Sequence, residues 1–225
     1  MPMPIIHLCV AKKILEIADV QNKAGFYLGS ISPDAFYITP TYYDVDGKYE
    51  AHIKAHITNS DFDAWKKDVI DFMSDHKTDE DYAFYLGYGI HILTDIKWKE
   101  TVIPAFSARC AERGVLYDES RSIYYNDMEM IDPLCYDRYK LQSDVWEYLS
   151  GPEGSCFKGP GVNAPGVDNL VTAKEIDSWR ENTLSMLKNK RDLHDVPADF
   201  FTYDMVSGFI ENAAKQIALQ LVDMF

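Results

Sequence analysis

The stretch from Tyr82 to Ile96, YAFYLGYGIHILTDI, constrains this chain more than any other. It is apolar or aromatic on every side, which puts a helix in the middle of a globular fold rather than on its surface. It is also shorter than the roughly 20 residues a membrane-crossing helix needs. Two of its residues, His91 and Asp95, do not suit a core. They are four apart, so they share one helix face with Cβ atoms about 6 Å from each other. An ionised carboxylate in apolar surroundings is costly unless it is paired or bound to a metal. Either His91 and Asp95 pair with each other, or both point at a cation.

Other residues of the same kind lie upstream. His7 falls inside the apolar face of the first helical segment, and Asp34 follows Ser32-Pro33 in LGSISPDAFY. His52 and His56 both fall in HIKAHIT. Singly, His7 reads as a satisfied core histidine, Asp34 as a turn or N-cap residue, and His52 or His56 as solvent-exposed. Together they bring imidazole and carboxylate ligands from separate segments, each in an apolar context, and that donor set suits zinc.

Helical periodicity dominates the rest. Ile5 to Ala18 has amphipathic spacing, as do Phe62, Trp65, Val69, Phe72 and Met73, with Asp61 and Asp63 near the N-terminal end of that run. Thr172 with Glu175 predicts a capping box ahead of Ile176, Trp179, Thr183 and Leu187. Thr202 predicts a cap for the last helix, marked by Val206, Phe209, Ile210, Ala213, Ile217 and Leu221. No long stretch alternates with period two. Short extended pieces are expected only around Phe36–Tyr43 and Tyr49–Ile53, and the Gly- and Pro-rich stretch Ser150–Asp168 reads as a long loop. The expected fold is all-α: one compact multi-helix domain over residues 1–225, with a metal site between helices.

Composition narrows the function classes. With 47% hydrophobic and 13% aromatic residues the chain is not a disordered protein. Its 22 Lys+Arg against 36 Asp+Glu give a net charge of −14, which argues against a nucleic-acid footprint. The four cysteines, at 9, 110, 135 and 156, form no CxxC pair and no disulfide framework. The N-terminus reaches Lys12 and Lys13 after a short apolar run, so no secretory signal is read there. No apolar run is long enough for a membrane span, and a soluble, cytoplasmic protein is expected. The oligomeric state is left open.

At these residues the chain resembles the bacterial zinc-dependent phospholipase C family, specifically its short intracellular members. The matching pieces are MPIIHLCVAKKI, FYLGSISPDAFY, KAHITNSDFDAW, FYLGYGIHILTDIKW and SIYYNDMEMID, in that order. The family is an all-helical bundle with zinc ions held between helices, and the fungal single-strand-specific zinc nucleases share its fold. The resemblance implies metal ligands at His7, Asp34, His56, His91 and Asp95, with His52 as the alternative to His56. The secreted members place two further histidines and a Glu downstream of the HxxxD pair and use a mature N-terminal amine as a ligand. Here the only histidine after Asp95 is His194. Asn126, Asp127 and Asp132 are candidates to compensate by facing the same cavity, or else they cap a helix around residues 128–140.

The implied cofactor is one or two zinc ions, and the implied substrate is a small phosphate ester. Zinc lowers the pKa of a bound water to about 7 and neutralises phosphoryl oxygens. Asp34 would combine ligation with orienting or deprotonating the attacking water. Arg121, next to the YYND segment, is a candidate for a phosphate oxygen, or a member of a surface ion pair. The rival from another class is a metal-stabilised binding protein without catalysis. An HD-type phosphohydrolase, suggested by His194-Asp195, needs its His on packed helices, whereas His194 lies between Arg191 and Pro197 and reads as an inter-helix turn; acyl transfer has little support, with no GxSxG and no Cys with an obvious His partner.

Overall fold

The structure, a computed structural model, describes residues 2–38, 45–54, 61–150, 171–186 and 200–225. Among them the chain is all-α. α1 (Pro4–Leu15) starts with a proline in its first turn, where a missing N–H costs nothing, and ends on Lys12 and Lys13, which suit the negative end of the helix dipole. α2 (Lys23–Gly29) is capped by Asn22, whose side chain accepts from the Gly25 amide. A 3-10 helix, Ser32–Ile38, follows, and then α3 (Val45–Ala51). α4 (Phe62–Asp75) is capped by Asp61, which accepts from the Ala64 amide at 3.0 Å.

α5 runs from Tyr82 to Glu112, far beyond the apolar stretch that predicts it. Its N-terminal part is buried all round, whereas the part after Trp98 exposes one face. α6 (Tyr117–Arg138), α7 (Val145–Ser150), α8 (Ala173–Met186) and α9 (Tyr203–Gln220) complete the fold. Both predicted caps are present. The Thr172 amide donates to the Glu175 carboxylate at 2.7 Å, and the Thr202 hydroxyl accepts from the Met205 amide at 3.2 Å.

α5 is the central element. It packs against α1, α2, α4, α9 and the Ser32–Ile38 3-10 helix, while α1 also packs on α6 and α9. The α2–α5 crossing is made backbone to backbone. A Cβ on Gly29 would lie 2.0 Å from the Phe84 carbonyl oxygen, and one on Gly87 would lie 2.1 Å from that of Phe26. Glycine at both positions is what lets the two helices approach this closely.

Two expectations are corrected. Where described, the segments expected to be extended are helical: Phe36 to Ile38 belong to the 3-10 helix and Tyr49 to Ala51 to α3. Their aromatic and β-branched content suggests strands, but Phe36 is buried against helices and Ser32 tightens the turn by donating its hydroxyl to the Leu28 carbonyl. Asn126, Asp127 and Asp132 do not cap a helix near residue 128, because α6 begins at Tyr117 and contains all three. The Ser150–Asp168 loop lies, apart from Ser150 itself, outside the described residues, as do His56, His194 and Asp195.

Candidate metal centre

Four segments converge on one buried point. α1 supplies His7, the 3-10 helix Asp34, the turn after α3 His52, and α5 both His91 and Asp95. All five are buried, with exposures of 1%, 4%, 3%, 1% and 0%. Two overlapping groups place one potential ligand atom from each member within 4.8 Å of the others: His7, His91 and Asp95, and Asp34, His52 and His91.

His91 and Asp95 do not satisfy each other. Asp95 instead turns Oδ1 to His7 Nε2 and Oδ2 to His52 Nε2, both at 3.6 Å. Asp34 Oδ1 lies 3.5 Å from His52 Nε2 and 3.8 Å from His91 Nε2. These separations are too long for good hydrogen bonds. Accordingly Nε2 of His7, His52 and His91, Oδ1 of Asp34 and both oxygens of Asp95 are buried without a hydrogen-bond partner. Native interiors pair the large majority of such atoms, and here six of the unpaired ones face one another. A set of orphaned imidazole nitrogens and carboxylate oxygens facing one another therefore fits a borderline-soft divalent cation such as zinc.

The surrounding backbone sets the tautomers. His91 Nδ1 lies 2.8 Å from the Ser30 carbonyl and His52 Nδ1 lies 3.0 Å from the Lys48 carbonyl. Each Nδ1–H donates outward, leaving Nε2 as a lone pair directed into the cluster, the usual outer-sphere support of a metal-binding imidazole. The Gly29–Gly87 approach bears directly on this, because Ser30 sits at the end of α2 and reaches His91 only when α2 lies close to α5.

His52 is held from both sides. The Trp65 indole Nε1 donates to the His52 carbonyl at 2.8 Å, and the Tyr88 hydroxyl donates to the carbonyl of Ala51. The next residue, Ile53, has φ of 52°, a left-handed conformation that a β-branched side chain rarely adopts. Such strain, of order 1–3 kcal/mol, persists only where neighbours over-determine it, and it tends to sit at functional positions.

Electrostatics disfavour the charged form of two of the imidazoles and favour the ionised form of Asp34. Burial, reinforced by His91, pushes His7 well below its ordinary pKa, and burial lowers His91 too. Their rings stack with centroids 3.7 Å apart, a geometry two imidazolium ions would resist. For Asp34, burial opposes ionisation, but His91 and then His52 outweigh it and bring the carboxyl below its usual range. Nearby, burial and then Lys99 bring the Lys54 ammonium down to about 8.

The other candidates lie elsewhere. Arg121 is exposed, its guanidinium 5.9 Å from the Tyr125 ring centroid, and Asn126 is exposed one turn on. Asp127 Oδ2 accepts from the amides of Phe200 and Phe201, at 2.8 and 2.9 Å. Burial pushes the Asp132 carboxyl well above its ordinary range, opposed only by the Ile5 amide. None of the four belongs to either ligand group. Sequence reasoning gave Trp65 no role in the site and Lys54 and Lys99 no place in it. The signals were present, with Lys54 between two histidines in HIKAHIT and Lys99 one turn beyond Asp95.

Among the described residues no helix is long and apolar enough to cross a membrane. Comparison with curated proteins and with solved structures found no match. The family comparison did: residues 6–98, which carry His7, Asp34, His52, His91 and Asp95 and stop short of the SIYYNDMEMID segment, match the model of the family described as zinc dependent phospholipase C.

Proposed function

We propose that the chain is a zinc-dependent hydrolase of phosphate esters, with His7, Asp34, His52, His91 and Asp95 as the metal-holding residues. The observation that carries this reading is the convergence of orphaned Nε2 and carboxylate oxygen atoms from four segments on one buried point. His52 takes the place first given to His56, because its Nε2 faces both Asp34 and Asp95. Asp95 has one oxygen toward each ligand group and so suits a site of one ion or two.

Zinc, when bound, offsets charge on a phosphoryl oxygen and makes water nucleophilic at neutral pH. The chain's own residues do the rest. The Ser30 and Lys48 carbonyls keep His91 and His52 in the Nδ1–H tautomer, so each ring is held with its Nε2 toward the cluster. Asp34, ionised and at the edge of the cluster, accepts the proton of the attacking water at its carboxylate. Tyr88 and Trp65 hold the backbone of the His52 turn, fixing the ring that faces Asp34.

The test is metal content by mass spectrometry on protein purified without chelators, with hydrolysis of bis-p-nitrophenyl phosphate measured in parallel. One or more equivalents of zinc, lost together with activity in His91→Ala, is the expected result. A wild type that stays metal-free after incubation with zinc would overturn the ligand assignment.

A second reading, a zinc-stabilised binding protein, is favoured by one observation. α6 adds no ligand to the cluster, since Asp127 is committed to two amides and Asn126 is exposed. Zinc-loaded protein that hydrolyses neither phosphodiesters nor phosphomonoesters would select it.

A further inference from the structure

The metal centre draws on the first turns of α1. The other end of that helix borders an open cavity of about 620 Å³, walled also by the C-terminal end of α6 and the first turns of α9. No residue of the metal centre lines it.

Two departures from helix rules meet in this cavity. Lys140 follows Tyr139, the C-cap of α6, and is left-handed with φ of 52°, where glycine is the usual residue. Gly208 lies inside α9, where glycine is among the least favourable residues. Packing does not ask for it, since a Cβ there would meet no atom within 4 Å. A lysine thus stands where the backbone favours glycine, and a glycine where it favours a side chain. Departures of this kind collect at functional positions.

The charges differ along the cavity. At the Tyr203 end, the Arg138 guanidinium lies 5.9 Å from the ring centroid. Asp204 adjoins that ring in sequence, yet the Arg138 side chain makes no ion pair or hydrogen bond among the described residues. The Lys140 ammonium makes none there either, although the Lys140 carbonyl accepts from Lys12, whose Nζ is held by Asp144 at 2.9 Å. At the Glu211 end, the Lys13 Nζ lies 2.7 Å from Glu16 and 3.4 Å from Glu211, so two carboxylates share one ammonium. The Tyr139 hydroxyl also donates to Glu211, at 3.3 Å. Tyr203 and Glu211 are two turns apart on α9, about 12 Å along its axis.

We infer that this cavity binds short peptides in their zwitterionic form, with the C-terminal carboxylate on Arg138 and the α-ammonium on Glu16 and Glu211. A guanidinium matches a carboxylate bidentately, and Lys140 adds a second cation to the same wall. The 12 Å span corresponds to roughly three or four extended residues. Bare backbone at Gly208 lets the peptide chain approach α9 closely. Capture of the two charged chain ends is a recurring mode of peptide recognition. The site goes beyond the hydrolase reading and does not depend on it.

The experiment is titration of the full chain with trialanine, trialanine amide and N-acetyl-trialanine, followed by backbone amide shifts in nuclear magnetic resonance. It uses wild type, Arg138→Gln and Gly208→Leu. Wild type is expected to bind trialanine, shifting the Gly208 amide, and to bind each blocked peptide about tenfold more weakly, as loss of a charge-assisted contact implies. Arg138→Gln should weaken trialanine about tenfold and no longer distinguish it from its amide, while the penalty for acetylation persists. Gly208→Leu should keep the wild-type circular dichroism and lose the peptide. No saturable binding of trialanine to wild type would overturn the inference, as would equal affinity for trialanine and either blocked form. So would a carboxylate preference retained in Arg138→Gln, or wild-type binding in Gly208→Leu.

Discussion

Two buried carboxylates on long helices, Asp95 of α5 and Asp127 of α6, meet opposite surroundings. Asp127 Oδ2 receives two backbone amides, from Phe200 and Phe201, and so ties α6 to the entry of α9. Asp95 receives no hydrogen bond on either oxygen and faces imidazole nitrogens at 3.6 Å. Asp132 is a third case, driven by burial toward its neutral form. Burial alone therefore says little about a carboxylate's role. What distinguishes Asp95 is that its oxygens face imidazole nitrogens beyond hydrogen-bonding distance rather than backbone N–H groups, an arrangement that is unfavourable without a cation and favourable with one.

The contrast predicts opposite responses to the same substitution. Asp95→Asn should weaken zinc binding by more than the 10–100-fold typical of outer-sphere changes, measured by competition with a chelating dye. It should also stabilise the metal-free protein by about 1–3 kcal/mol in urea unfolding, because an unpaired buried charge is removed. Gly87→Ala comes next. Its Cβ would press on the Phe26 carbonyl, costing about 3 kcal/mol, and should weaken zinc binding by withdrawing Ser30 from His91. Asp127→Asn should cost about 1–2 kcal/mol of stability while leaving zinc content at the wild-type level. Equal zinc loss in the Asp95 and Asp127 variants would erase the distinction between the two sites.

A pH series separates the regions further. The folded-state pKa values of His7 and His91 lie below the ordinary 6.5, so between those values the unfolded chain binds protons that the native state refuses. Metal-free protein should therefore keep its full stability above pH 6.5 and lose it progressively as pH falls below that value. Thermal unfolding in the presence of a chelator reads this directly, and a midpoint that is flat from pH 7.5 to 5 would contradict the neutral-imidazole arrangement. The smallest expected effect is at Ile53. Ile53→Gly should stay within about 1 kcal/mol of wild type, because relief of the left-handed strain offsets the lost packing.

Much of this architecture is readable in the sequence because it rests on local rules. The helix from Tyr82 is visible as an all-apolar stretch, and the caps at Thr172 and Thr202 are visible as side chains at fixed offsets. His91 and Asp95 stand out because ionisable groups are expensive where they lie. The place of His52 was not readable, since HIKAHIT offers two histidines and only the Trp65 and Tyr88 contacts hold the backbone that carries His52. The segment SPDAFYI has strand-like composition but folds as a 3-10 helix, because its aromatic residues pack on helices that sequence proximity does not show. Asp127 looked like a candidate ligand because the amides that satisfy it lie more than seventy residues away.

The α2–α5 crossing carries an evolutionary consequence. Each glycine there is opposed by a main-chain carbonyl, not by a side chain that a second mutation could trim. No exchange at position 26 or 84 makes room for a methyl group at 87 or 29, since every amino acid presents the same oxygen. Positions 29 and 87 should then be invariant across orthologues without covarying with each other or with their neighbours. Contact maps inferred from correlated substitutions would leave these two positions blank, although they set a backbone-to-backbone approach beside the candidate metal centre.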